Sequence, residues 1–99
     1  MNKTKQRQVL KNVKKFIVDT LGKEEVTYMQ FLTGDEAIKY SEYATEDSPY
    51  ISFDGSIVYR LLNYGEDRWQ WMEKFDAFLK EMGMWYEQGH AWNLSIYED

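Results

Sequence analysis

Cysteine is absent from this chain of 99 residues. Disulfides, thiolate metal ligands, iron–sulfur clusters and thiol nucleophiles are therefore excluded. Secreted domains of this size often depend on disulfides, so the expected compartment is a reducing one, the cytoplasm. The single proline and six glycines exclude a collagen-like or low-complexity chain. No apolar run exceeds three residues, too short for a membrane span, and no association with a membrane is expected. Residues 1–8 are basic and polar, and Val9-Leu10 give way at once to Lys11, so no secretory h-region is read there.

The one histidine, His90, stands in a predicted turn with no ligand-like spacing around it. It is read as a solvated polar residue. Asp35-Glu36 and Glu46-Asp47 are adjacent in sequence and project in different directions, so adjacency builds no acid–base pair. Asp54-Gly55-Ser56 lacks a neighbouring base and a Gly-x-Ser-x-Gly context, which leaves it as a helix cap. Thr33-Gly34-Asp35 lacks the lysine and glycines of a phosphate-binding loop. No catalytic residue, metal ligand or cofactor site is assigned, and a non-catalytic protein is expected.

What the chain has in quantity is aromatic residues and unevenly placed charge. Aromatics make up 17% of it, enough to argue against disorder, since such rings supply the apolar area that offsets ordering entropy. A domain of this size buries roughly two-thirds of its unfolded surface, room for one modest core, and residues 1–99 are read as a single domain. Net charge is −5. Residues 1–25 carry seven basic and three acidic residues, a balance of +4, whereas residues 26–99 carry five basic and fourteen acidic ones, a balance of −9.

Residues 5–21 predict an amphipathic helix, with Val9, Leu10, Val13, Phe16, Ile17 and Leu21 at spacings of three and four, Thr4 as N-cap and Gly22 at the C-terminus. Lys3, Lys5 and Arg7 near its start oppose the helix dipole. Residues 25–32 alternate as a strand with apolar groups on both faces. Thr33-Gly34-Asp35-Glu36 turns into a helix over about 35–44, and 45–49 is a loop. Residues 50–53 read as a strand. Asp54-Gly55 fits either a hairpin or a helix start, and the helix to Asn63 or Tyr64 is favoured by Ile57, Val58, Leu61 and Leu62, with Gly65 closing it. Residues 66–82 predict a helix opened by Glu66 and Asp67, with Trp69, Met72, Phe75, Leu79 and Met82 in its stripe. The end of the chain reads as a hairpin: one arm at 84–87, a turn at 88–91 and a second arm at 92–97. In the second arm Trp92, Leu94 and Ile96 face inward, and Asn93 and Ser95 face solvent. The expected architecture is α+β: a small, mainly antiparallel sheet of about four strands with three to four helices on one face.

Eight Tyr and four Trp exceed what one small core needs. Tyrosine and tryptophan bury large area while keeping a polar handle, which suits an interface. Tyr40, Glu42, Tyr43, Glu46, Asp47, Tyr50 and Asp54 interleave rings with carboxylates, and this segment is the expected partner-binding face. Its expected partner is another protein with a basic surface, one that itself binds nucleic acid being a natural case. In size and charge the chain is like the small inhibitors and adaptors of phages and mobile elements; no residue motif carries that likeness. Two alternatives stand beside it. Lys3, Lys5, Arg7, Lys11, Lys14 and Lys15 form a basic face suited to phosphates, though the acidic body repels the same backbone. A homo-oligomer pairing the basic helix of one copy with the acidic body of the next is the other.

Overall fold

A computed structural model describes residues 1–64 and 68–99. Helix α1 runs Lys3–Leu21. Its N-cap is Asn2 rather than Thr4: the Asn2 side chain accepts from Lys5 N at 2.8 Å. Gly22 ends the helix at φ 101°, a conformation open to glycine. The chain then makes the short helix α2 (Lys23–Val26), strand β1 (Gln30–Leu32), the single turn α3 (Gly34–Ala37), strand β2 (Tyr50–Ser52), helix α4 (Ile57–Asn63), helix α5 (Arg68–Glu81) and strands β3 (Met84–Gln88) and β4 (Asn93–Glu98). The sheet is antiparallel throughout, in the order β1-β2-β4-β3. An α+β fold with a C-terminal hairpin is what the sequence pattern implied.

Two segments depart from that reading. The strand expected over 25–32 keeps only its last three residues. Residues 23–26 turn helical because Glu25 is drawn away: its carboxylate accepts from Ile57 N at 2.8 Å and from the Ser56 hydroxyl at 3.2 Å, tying α2 to the start of α4. The helix expected over 35–44 stops after one turn, since of its proposed apolar side only Ala37 is buried, with Ala44 half-buried and Ile38 and Tyr40 exposed. The helix reading of 54–64 holds, with Ser56 rather than Asp54 as N-cap, its Oγ accepting from Val58 N at 3.2 Å. The expected roles of Gly65, Glu66 and Asp67 lie outside the described residues.

Register assigns the two faces of the sheet. Phe31, Ile51, Leu94, Ile96, Met84 and Tyr86 share one face. Against it pack Val9, Val13 and Ile17 of α1, Val58 and Leu62 of α4, and Phe75 and Leu79 of α5. In α5 the buried stripe is Trp71, Phe75 and Leu79, while Trp69, expected inside, is exposed. Phe75 lies 5.1 Å from both Trp71 and Tyr86, ring centre to ring centre. Each such side chain fully buried is worth about 1.5–3 kcal/mol.

The other face carries Leu32, Tyr50, Ser52, Asn93, Ser95, Tyr97, Trp85 and Glu87. It was expected to be solvated at Asn93 and Ser95, and both are buried. The physical reason is position: β4 is central, and the 38–49 segment returns over this face, with Ser48, Pro49 and Tyr50 buried beneath the surface. Two glycines permit the close approach. A side chain on Gly34 would overlap the carbonyl oxygens of Thr45 and Glu46, and one on Gly89 would meet Tyr43.

Candidate functional site

Gln6 fixes the beginning of the site. It is 1% exposed, in the first turns of α1. Its amide nitrogen donates to Met1 O at 3.0 Å and Glu46 O at 3.1 Å, and its oxygen accepts from Gly34 N at 2.7 Å. One side chain therefore joins α1, α3 and the 45–47 backbone, and an otherwise irregular segment is held in place.

At its other end the segment rests on the β3–β4 turn. The Tyr43 ring meets His90 edge-on, centres 4.5 Å apart at 89°. His90 stacks on Trp92 at 4.4 Å and 5°. Buried Asn93 holds this turn from below: its Oδ1 accepts from His90 N at 3.0 Å, and its Nδ2 lies 3.1 Å from His90 Nδ1. With Asn93 donating, Nδ1 is the acceptor and the ring proton sits on Nε2. Tyr43 is 48% and Trp92 43% exposed in spite of these contacts. Trp92 thus lies outside the core that alternation assigned it to, because the chain is still turning there and β4 begins only at Asn93.

On the uncovered part of the same face, Trp85 and Tyr97 are directly opposed across β3 and β4, their rings 4.9 Å apart and tilted by 34°. Trp85 is 44% exposed. Glu87, two residues along β3, is exposed on that face between this ring pair and the Tyr43 ring over Gly89. Asp54 is exposed at the Trp92 end, following Phe53, whose N–H donates to Trp92 O at 2.8 Å. Among the described residues, no cation lies within 4.0 Å of the carboxylates of Glu42, Glu46, Asp47, Asp54 or Glu87.

The seven residues expected to form the partner face are therefore not one patch. Tyr43 joins the ring cluster, with Glu42 and Tyr40 exposed beside it in sequence. Asp54 borders the cluster through Phe53 and Trp92. Glu46 and Asp47 are exposed near the start of α1, toward the Tyr50 end of β2 and away from Asp54. Tyr50 is 5% exposed and presents no surface: it is a strand residue under the 38–49 segment. Sequence reasoning missed Glu87, His90, Trp92 and the pairing of Trp85 with Tyr97. Alternation within Met84-Trp85-Tyr86-Glu87-Gln88 does place Trp85 and Glu87 on one side, and that signal was available.

The six cations expected to form a basic face are also divided. Lys3 pairs with Asp35 at 2.6 Å, Lys5 with Glu98 at 2.8 Å and Lys15 with Asp19 at 2.9 Å. Lys3 and Lys5 thus tie α1 to α3 and β4, and contacts to these carboxylates offset their unfavourable place in the helix dipole. Arg7, Lys11 and Lys14 have no carboxylate within 4.0 Å among the described residues, and Lys14 Nζ lies 5.6 Å from the centre of the Phe31 ring.

These contacts set the acid response. The Lys3 ammonium, then the Thr33 hydroxyl, hold Asp35 down from 3.8 to about 2. Thr33, through its hydroxyl and its N–H, lowers Glu36, and Lys5 lowers Glu98. Each is depressed in the fold, so its contribution is present above the ordinary carboxylate range and is lost as pH falls through the folded value. Asp76 opposes this, being raised by desolvation. Among the described residues, three depressed groups against one predict a midpoint temperature that falls between pH 4.5 and pH 2. Melts followed by circular dichroism at stepped pH check this, and Asp35→Asn should flatten the lowest part of the curve.

Of the surface depressions, the groove between α1 and α5, of 460 Å³, is lined by Asn12, Lys15, Phe16, Asp19, Phe78 and Met82, with its two charged groups already paired to each other. Among the described residues, no group of three or more His, Asp or Glu is placed to hold a metal ion, and no helix is long and apolar enough to cross a membrane. No protein-family model, curated protein or solved structure matches the chain.

Proposed function

We propose that this chain is a non-catalytic binding domain, an inhibitor or adaptor that sets the acidic aromatic face of its sheet against a basic surface of another protein. One observation carries the reading: the exposed rings of Tyr43, Trp92 and Trp85 and the half-buried rings of His90 and Tyr97 are accompanied by the exposed Glu42, Asp54 and Glu87, whose carboxylates have no cation within 4.0 Å among the described residues. Exposed aromatic rings beside unneutralised charge are the composition of a contact surface. A face anchored by Gln6, Gly34 and Asn93 also loses little freedom on binding, which favours affinity. The basic helix is the weaker surface, because Lys3, Lys5 and Lys15 already have carboxylate partners.

The test is capture from a nuclease-treated lysate on the immobilised protein, repeated with Glu42→Lys/Glu87→Lys. A partner of high isoelectric point should survive nuclease, elute at moderate salt and bind the reversed variant about tenfold or more weakly. Retention equal on both columns, or loss of all material on nuclease treatment, would remove this face from the function. Loss on nuclease treatment would instead point to Arg7, Lys11 and Lys14 as a contact for nucleic acid.

A further inference from the structure

We infer that the face recognises the planar guanidinium of arginine, and that Glu87 is its anchor. The inference rests on the function proposed above and narrows it to one side-chain chemistry. Glu87 is exposed on β3 and has no cation within 4.0 Å among the described residues. Same-face neighbours along a strand stand about 7 Å apart, so Trp85 lies on one side of it, and Gly89, with Tyr43 against it, follows just past the end of β3 on the other. Tyr97 extends the Trp85 side, its ring 4.9 Å from the indole. A carboxylate on the same sheet face as the neighbouring Trp85, with Tyr97 diagonally across on β4, can offer a guanidinium two contacts at once. The carboxylate takes two parallel N–H donors, and the ring faces take the flat, weakly hydrated cation by stacking.

Lysine satisfies the charge but neither the fork nor the stack. The exposed carboxylates of Glu42 and Asp54 would attract any cation, which gives the protein its charge complementarity to a basic partner. Glu87 and its rings supply the choice between cations. The ring pair beside Glu87, Trp85 with Tyr97, joins strands fixed by five backbone register positions, so it stands ready before anything binds.

Nuclear magnetic resonance on isotope-labelled protein, titrated with an oligo-arginine and an oligo-lysine peptide of equal length, tests this directly. The arginine peptide should bind about fivefold more tightly, moving the Trp85 indole and Glu87 amide signals first. Glu87→Gln should remove most of that preference, and Trp85→Leu should do so independently if the first variant disturbs the strand. Equal affinity for both peptides, or a preference that survives both substitutions, overturns the arginine reading while leaving an acidic docking face intact. No binding of either peptide overturns it as well, and a failed capture experiment beside it would take the docking face too. Signals that move on raising protein concentration alone would assign the face to a second copy, through its Arg7, Lys11 and Lys14, and overturn the proposal in that way.

Discussion

Gly34→Ala should lower stability by about 3 kcal/mol, near the upper end for forcing one methyl group into a filled site. For a domain of this length that is a fall in midpoint of about 15 °C. The cause is space, not dihedral strain: Gly34 has no positive φ, unlike Gly22 and Gly83. An added Cβ would fall inside the contact distance of the Thr45 and Glu46 carbonyl oxygens. These are backbone atoms and cannot swing aside as the tip of a long side chain would. The 45–46 segment must lift, which also separates Glu46 O from Gln6. The consequence reaches the binding face, because the same segment delivers Tyr43 to Gly89 and His90. Urea and thermal denaturation measure the loss. A midpoint within a few degrees of the parent would show that Thr45 and Glu46 do not lie over Gly34.

Gly89→Ala is a sharper probe of function. The added methyl would meet the Cβ and Cγ of Tyr43 and the Oδ1 of Asn93, on the binding face itself. The Cβ of Tyr43 stays in place when its ring rotates and Asn93 is buried, so the backbone at residue 43 must move off the turn: thermal denaturation should show a loss of about 1–3 kcal/mol, and partner capture should weaken.

Elements with a local cause were legible in the sequence. The stripe of α1 is periodic over several turns and that of α4 over about two, and the hairpin at 84–98 has alternating arms around Gly89. Where several turns share one apolar face, local pattern and tertiary packing agree. The failures have non-local causes. Glu25 was read as a strand residue, and it is bound instead to the start of α4, thirty-two positions away at Ile57. Tyr50 looked like one more surface tyrosine because nothing nearby in sequence tells that residues 38–49 cover β2. In the site, Tyr43 was found from composition. Alternation along β3 sets Glu87 beside Trp85, but their position against Tyr97 needed the register of β3 on β4, and Trp92 needed the place where the turn ends. Register is not encoded within a few residues of the position concerned.

Gln6 makes the same point most strongly, since it lies among the polar residues 1–8 and is nonetheless buried. Gln6→Ala should cost about 3 kcal/mol, combining a small cavity with Gly34 N–H and Glu46 O left without their partner. Combined with Gly34→Ala the loss should be less than additive, because either change alone frees the 45–46 backbone. Gln6→Glu separates the hydrogen-bond hub from mere bulk. The carboxylate oxygen can still accept from Gly34 N, but its second oxygen would face the Met1 and Glu46 carbonyls where the amide now donates. Burial and two facing carbonyls disfavour the charged form, so this carboxyl is raised in the fold. Its penalty is full at neutral pH and eases as pH falls through the raised value. The parent loses stability in that direction through Asp35, Glu36 and Glu98. The stability difference between parent and Gln6→Glu should therefore narrow toward pH 4, measured by urea unfolding at each pH. A difference that stays constant from pH 7 to pH 4 would mean that residue 6 does not face those carbonyls in the folded protein.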